Sequence, residues 1–151
     1  MSQSLSKILL HVVFSAKQRR DLIPPELREG LHAYLAGACR EQGSHAYRVG
    51  GTENHVHLAC TLPRTLAVAD LLEGTKRSSS KWMKKEAPKR CGDFVWQNGY
   101  GAFSLGQSQL QRLIRYIDNQ MEHHRKEDFK AELLALLDKY EVDYDEQYLW
   151  E

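Results

Sequence analysis

Apolar residues along this chain follow two different periods. Residues 8–14 form a continuous β-branched and apolar run, the pattern of a buried strand. Pro24-Pro25 then opens a stretch in which Leu27, Leu31, Tyr34, Leu35 and Ala38 recur at helical spacing, consistent with proline at a helix start. Residues 46–49, the turn-forming Gly50-Gly51-Thr52-Glu53-Asn54 and residues 55–62 read as strand, turn, strand. A second helix is predicted from Thr65, apolar over 67–72 and weakened in its middle by Ser78-Ser79-Ser80. Residues 94–105 are aromatic-rich and contain Gly99-Tyr100-Gly101, which predicts a fourth strand with a bend or a hairpin.

From Ser108 the period changes. Leu110, Leu113, Ile114, Ile117 and Met121 line one face of an amphipathic helix. A further helix is expected over 133–140, begun near Asp128 as its N-cap. The order β-α-β-β-α-β followed by helices matches the ferredoxin-like split βαβ arrangement. The expectation is one α+β domain over 1–151: an antiparallel sheet with helices on one face over 1–107, then C-terminal helices over 108–151.

Composition adds boundaries rather than a function. With 151 residues, 42% hydrophobic and 27% charged, the chain suits one soluble domain. No apolar run approaches the roughly 20 residues of a membrane-spanning helix, and the start lacks the features of a secretory signal, so a cytoplasmic location is expected. Cys39, Cys60 and Cys91 are widely spaced without a CxxC pair, which argues against a disulfide framework or a cysteine zinc site.

The net charge of +1 conceals two unlike pieces. Residues 1–126 hold 19 Lys+Arg and 11 Asp+Glu, a balance of +8. Residues 127–151 hold two Lys and nine acids, a balance of −7. Within the first piece, residues 76–90 carry seven basic side chains against the single acid Glu86. Such asymmetry suits either a polyanion-binding body with an acidic tail or a solvated helix face with a solubilising one.

His55-Val56-His57 falls on the expected third strand, where side chains at i and i+2 share a face. Both imidazoles can therefore converge on one metal ion while Val56 packs into the core. Seven histidines in this length give about 0.3 such pairs by chance, so two ordinary strand histidines are an equally open reading of the pair alone. The helix after Ser108 adds Tyr116 and Gln120, four residues apart on one flank of the apolar stripe, with His123 on the same flank. The Gln120 carbonyl can complete a site begun by two imidazoles, leaving positions for water and a phosphate oxygen. A hard divalent ion there would polarise a phosphodiester for attack by Tyr116.

His55-Val56-His57, preceded by Gly51-Thr52-Glu53-Asn54, resembles the His-hydrophobe-His motif of the HUH endonucleases. Residues 115–120, followed by Glu122-His123-His124-Arg125, resemble the tyrosine helix of single-tyrosine HUH transposases from small bacterial insertion sequences. Residues 96–104 and 144–150 are also similar to members of that group, so the likeness spans nearly the whole chain. The resemblance implies a transposase that cleaves and rejoins single-stranded DNA through a 5′-phosphotyrosine intermediate. It implies Tyr116 as nucleophile and His55, His57 and Gln120 as ligands of Mg²⁺ or Mn²⁺. It implies DNA hairpins near the element ends as substrate, no nucleotide cofactor, no membrane partner, and a homodimer in which the tyrosine helix of one chain completes the metal site of the other.

Lys76, Arg77, Lys81, Lys84 and Lys85, with Arg112 and Arg115, are the leading candidates for DNA contact, because backbone neutralisation dominates nucleic-acid affinity. Arg19 and Arg20 are secondary candidates. His123 and His124 suit phosphate contact, tuning of the site or plain exposure on a helix. Two competing classes remain: a non-catalytic hairpin-binding module on the same fold, and a hydrolase using a zinc-bound water. The second is disfavoured because no carboxylate or third histidine has convincing ligand spacing.

Overall fold

In the computed structural model, which describes residues 2–150, residues 9–15, apolar apart from His11 and Ser15, become the innermost strand of a sheet. Strand β1 (Leu9–Ser15) lies between β3 (His55–Thr61) and β4 (Gly101–Leu105), antiparallel to both. β2 (Ala46–Gly51) pairs with the outer edge of β3, giving the order β2-β3-β1-β4. Every residue of β1 is buried, which explains why it reads as continuous rather than alternating.

The two faces of this sheet are covered by different parts of the chain. Helices α1 (Pro25–Glu41) and α2 (Val68–Glu86) pack Leu31, Leu35, Leu71, Leu72 and Met83 against Leu10, Val12, Phe14, Val56 and Leu58. The short α3 (Pro88–Cys91) adds Cys91 to that core. The opposite face carries α4 (Leu110–Asp118), α5 (Gln120–His123) and α6 (Phe129–Lys139). There Leu110, Leu113 and Ile117 meet Leu9 and Ala59, while Phe129 and Leu137 meet Val13 and Phe103. A last turn, α7 (Glu146–Leu149), precedes Trp150, whose ring lies under the Arg19 guanidinium at 4.7 Å and the Lys130 ammonium at 5.1 Å. The architecture is the expected α+β sheet with its C-terminal helices.

Several element expectations need correction. The fourth strand begins only at Gly101, and the aromatic stretch before it is a loop joined by one isolated bridge, Trp96 to Ala16, just beyond the end of β1. The serines of α2 do not weaken it, because Ser79 is buried and accepts a 2.9 Å hydrogen bond from the Trp96 indole. The helix from Ser108 is not continuous: Asn119, at φ −97° and ψ 16°, breaks it between α4 and α5. Met121, expected on the apolar stripe, is consequently 48% exposed. The last long helix, by contrast, begins as expected just after Asp128, which accepts from the Ala131 amide at 2.8 Å as its N-cap. The cysteines are all free and buried. Among the described residues no helix is long and apolar enough to cross a membrane.

Candidate active site

Alternation along β3 divides its side chains: Val56 and Leu58 enter the core under α1 and α2, whereas His55 and His57 face α4 to α6. Both histidines are fully buried. Their Nδ1 atoms are held from behind. That of His55 lies 2.9 Å from Thr52 Oγ1 and 2.7 Å from Asn54 Oδ1, both in the turn before the strand. That of His57 lies 2.7 Å from Nε2 of His11, a buried residue of β1. Such backing fixes ring orientation and leaves both Nε2 atoms facing the C-terminal helices.

The tyrosine helix can approach because β2 presents Gly50 to it. A Cβ at Gly50 would stand 2.7 Å from Ile117 Cγ2 and 2.9 Å from the Ile117 carbonyl oxygen, so only glycine admits α4 at this distance. Ile117 is buried at the contact, and Tyr116 is turned toward the histidines, its ring centroid 5.7 Å from that of His57. Gln120, just beyond the break at Asn119, is also buried. Its Oε1 lies 2.9 Å from His55 Nε2.

Glu132 on α6 occupies the centre of the site. Its Oε1 lies 3.0 Å from His57 Nε2, 3.1 Å from His124 Nε2 and 3.4 Å from His55 Nε2. Its Oε2 accepts from the Gln120 amide at 3.0 Å and from the Tyr116 hydroxyl. Burial disfavours the carboxylate, but hydrogen bonds from His124, His55 and His57 outweigh it and hold Glu132 well below the usual range. Burial, then hydrogen bonding to Glu132, pushes the Tyr116 phenol far above its ordinary value. Burial lowers His57 to about 4 and His11 to about 3, so both rings are neutral near pH 7, as metal-ligating imidazole must be.

His55, His57 and Glu132 together form a group that could hold a metal ion, their ligand atoms all within 4.8 Å of one another. Two imidazoles, a carboxylate and the Gln120 amide oxygen form a donor set suited to a divalent cation. The expectation that no carboxylate is placed to ligate is therefore corrected. Glu132 lies in the acidic segment, whose charge masked one residue turned inward. Its signal is the pairing of Phe129 with Glu132 on a capped helix, legible only once that helix is known to cover the site. His11 was likewise hidden, inside a strand whose apolar run gave it no reason to be singled out. His124, weighed equally as an exposed residue, points at Glu132.

The basic candidates are separated by the sheet. Lys81, Lys84 and Lys85 are exposed on α2, over the face opposite the histidines. Arg77 pairs with Glu73 at 3.2 Å. Lys76 donates to the carbonyls of Gln97 and Gly99, and burial lowers its ammonium to about 8. Arg112 and Arg115 are exposed on α4 beside the tyrosine. Of these seven, only Arg112 lines the cavity of about 340 Å³ that opens at Tyr116, together with His123, Glu127, Glu132 and Lys139.

The sequence matches the family of IS200-like transposases over residues 4–120. No curated protein matches the chain. Among solved structures, an inferred transposase from Deinococcus radiodurans R1 superposes with a TM-score of 0.62 at 20% identity, covering 80% of this chain and 98% of the other. A REP-associated tyrosine transposase solved with a REP hairpin superposes with a TM-score of 0.59 at 14% identity, covering 82% and 74% respectively. At these identities the two structures establish the shared fold, and the family follows from the sequence match across most of the chain. The protein thus belongs to the IS200-like transposases.

Proposed function

We propose that this transposase cleaves and rejoins single-stranded DNA at insertion-sequence ends through a 5′-phosphotyrosine at Tyr116. The observation that carries the reading is the Tyr116 hydroxyl bonded to the carboxylate that also holds His57, all within one chain. His55, His57, Gln120 and Glu132 would hold the divalent cation, Mg²⁺ or Mn²⁺. When bound, the cation supplies Lewis-acid polarisation of the scissile phosphodiester.

Tyr116 Oη attacks phosphorus, the bond to the 3′-oxygen breaks, and that oxygen leaves to become a 3′-hydroxyl. Glu132 Oε2 is the proton acceptor in position for the phenol. Because the phenol is held far above its ordinary value and the carboxylate well below its own, the phenol proton moves only as the phosphorus bond forms. His11, Thr52 and Asn54 keep the two imidazoles oriented. Arg112, at the rim of the cavity, is placed to neutralise a phosphate of the incoming strand. The phosphotyrosine retains the energy of the broken linkage, so attack by a 3′-hydroxyl reverses the step without a nucleotide.

On this reading the substrate is a DNA hairpin at the element end, the type of ligand borne by the REP-associated neighbour. A homodimer belongs to the same reading. The resemblance implies active sites completed across chains, whereas within this chain Tyr116 already lies beside His57, ring centroids 5.7 Å apart, so the pairing proposed here need only bring two ends together. The test is a single-stranded oligonucleotide carrying the element end, labelled on its 3′ side, incubated with Mn²⁺. An SDS-resistant adduct that disappears in Tyr116→Phe is expected. Equal adduct from Tyr116→Phe sinks the assignment, and hairpin affinity without any adduct supports the non-catalytic binding module.

A further inference from the structure

The cavity at Tyr116 is longer than a phosphodiester requires. One wall is a single face of α4 and the turn before it, where Gln109, Arg112, Leu113 and Tyr116 recur at i, i+3, i+4 and i+7. The facing wall is one face of α6, where Glu132, Ala135, Leu136, Lys139 and Tyr140 recur at the same spacing. Seven residues at helical rise span about 10 Å, so both walls extend that far beyond the Tyr116–Glu132 hydrogen bond. The volume of about 340 Å³ stands near the lower end of the roughly 300–1,000 Å³ of small-molecule sites, which suits one nucleotide rather than a run of them.

The chemistry changes along this length. Beside Tyr116 the carboxylates are engaged, Glu127 with His123 at 3.1 Å and Glu132 with His57 at 3.0 Å. The middle is aliphatic, made by Leu113, Ala135 and Leu136. Beyond it come donors. Oε1 of Gln109 accepts from the Gly106 amide at 2.9 Å. A backbone N–H can only donate, so the carboxamide oxygen faces Gly106 and the NH₂ group is left for the cavity. Lys139 adds an ammonium, with Nζ 5.5 Å from the centre of the Tyr140 ring, which is itself stacked on Phe103 at 4.8 Å.

We propose that this groove is a nucleobase pocket, which takes the base of the nucleotide whose 5′-phosphate joins Tyr116 and selects a keto base, guanine or thymine, through the Gln109 amide and the Lys139 ammonium. Its place in the reaction rests on Tyr116 being the nucleophile, as proposed above. In-line attack sends the leaving 3′-oxygen to the side of phosphorus away from Tyr116, so the nucleotide that stays beside the cavity is the one that keeps the phosphate. Arg112, between Gln109 and Tyr116 on the same face, meets that phosphate while the base reaches past it. Guanine offers the acceptors O6 and N7, and thymine O4, where adenine and cytosine carry amino groups that would set donor against donor. Drawing a base into such a pocket costs least from a single strand, which is the substrate here.

Four single-stranded oligonucleotides carrying the element end, different only in the nucleotide on the 3′ side of the cut, provide the test. Each is read twice: by the rate of adduct formation with full-length protein and Mn²⁺, and by its affinity for Tyr116→Phe in fluorescence anisotropy. Guanine and thymine should exceed adenine and cytosine by about 5- to 150-fold in both, the range for one good pair of base contacts. Gln109→Glu keeps the acceptor for Gly106 and puts an acceptor where the donor was, so it should move the preference toward adenine and cytosine. Lys139→Ala should narrow the preference. Both side chains are exposed, so the variants should fold, and a merely structural role would lower all four substrates equally. Equal rates and equal affinities for the four bases overturn the pocket and leave Tyr116 as nucleophile. A keto preference that survives both variants also overturns it. Base preference in affinity without any adduct keeps the pocket and sinks the nucleophile, and the absence of both overturns the two together.

Discussion

The hydroxyl of Tyr116 donates a hydrogen bond to the carboxylate of Glu132, which lies 16 residues further along the chain on a different helix. The same carboxylate accepts from His57 and Gln120, so the nucleophile candidate and the cation ligands share one buried anion. This couples the chemistry of α4 to the placement of α6.

Replacing Glu132 by Gln keeps the volume and removes the charge. The expected result is cation affinity lower by about 10- to 100-fold, the range for residues that support or complete a metal site. Isothermal titration with Mn²⁺ measures it, and unchanged affinity would remove Glu132 from the site. Glu132→Ala also leaves several buried donors without an acceptor and should cost about 3 kcal/mol in chemical denaturation.

Gly50→Val should displace the tyrosine helix while leaving the sheet folded. Its Cβ would meet the Ile117 side chain and carbonyl, with overpacking costs of about 1–3 kcal/mol. Adduct formation should fall by at least about 100-fold, since a 1 Å misplacement of a reacting group costs that much. A variant with full activity would show that α4 does not need this close approach.

Acid should destabilise the cation-free protein well above the ordinary carboxylate range. His11, His32 and His57 are lowered to about 3, 4 and 4 from 6.5, each by burial first. Their folded values lie below the unfolded one, so the unfolded chain binds more protons between pH 6.5 and those values. Stability is therefore fully present above about pH 6.5 and declines on acidification, by up to about 1.4 kcal/mol per pH unit for each histidine. Glu132, held low in the folded state, keeps its contribution above the unfolded carboxylate range and loses it as pH falls further. Urea melts in EDTA at pH 7, 6 and 5 check the direction, and a flat profile contradicts it.

Arg112→Ala should weaken binding of single-stranded DNA and reduce the slope of log affinity against log salt by about 0.7, the value for one contact to a single strand. Lys84→Ala, on the opposite sheet face, should leave cleavage of a minimal single-stranded substrate unchanged. The reverse pattern would place the DNA on α2.

Much of the fold is legible from local pattern. The apolar run of β1 and the Pro24-Pro25 helix start each act over a few residues and appear where expected, whereas Gly50 and Gly51, expected in the turn, end strand β2 and leave the turn to residues 52–54. The misreadings arise where a distant partner decides. Trp96 gives Ser79 a donor, so the triple serine stays helical, and the aromatic stretch is a loop whose pairing ends at the isolated Trp96–Ala16 bridge.

Strand and helix periods already put His55 and His57 on one face and Tyr116 and Gln120 on one flank. Which carboxylate joins them depends on how α6 docks on the sheet. Glu132 lies in a segment whose charge resembles a solvated tail, and nothing within ten residues of it in sequence shows that Phe129 docks on the sheet and carries it inward. The tertiary structure also divided the basic residues, which form one positive body in sequence but sit on two faces of a sheet. Charge totals add along a chain; contacts depend on which side of the sheet each helix covers.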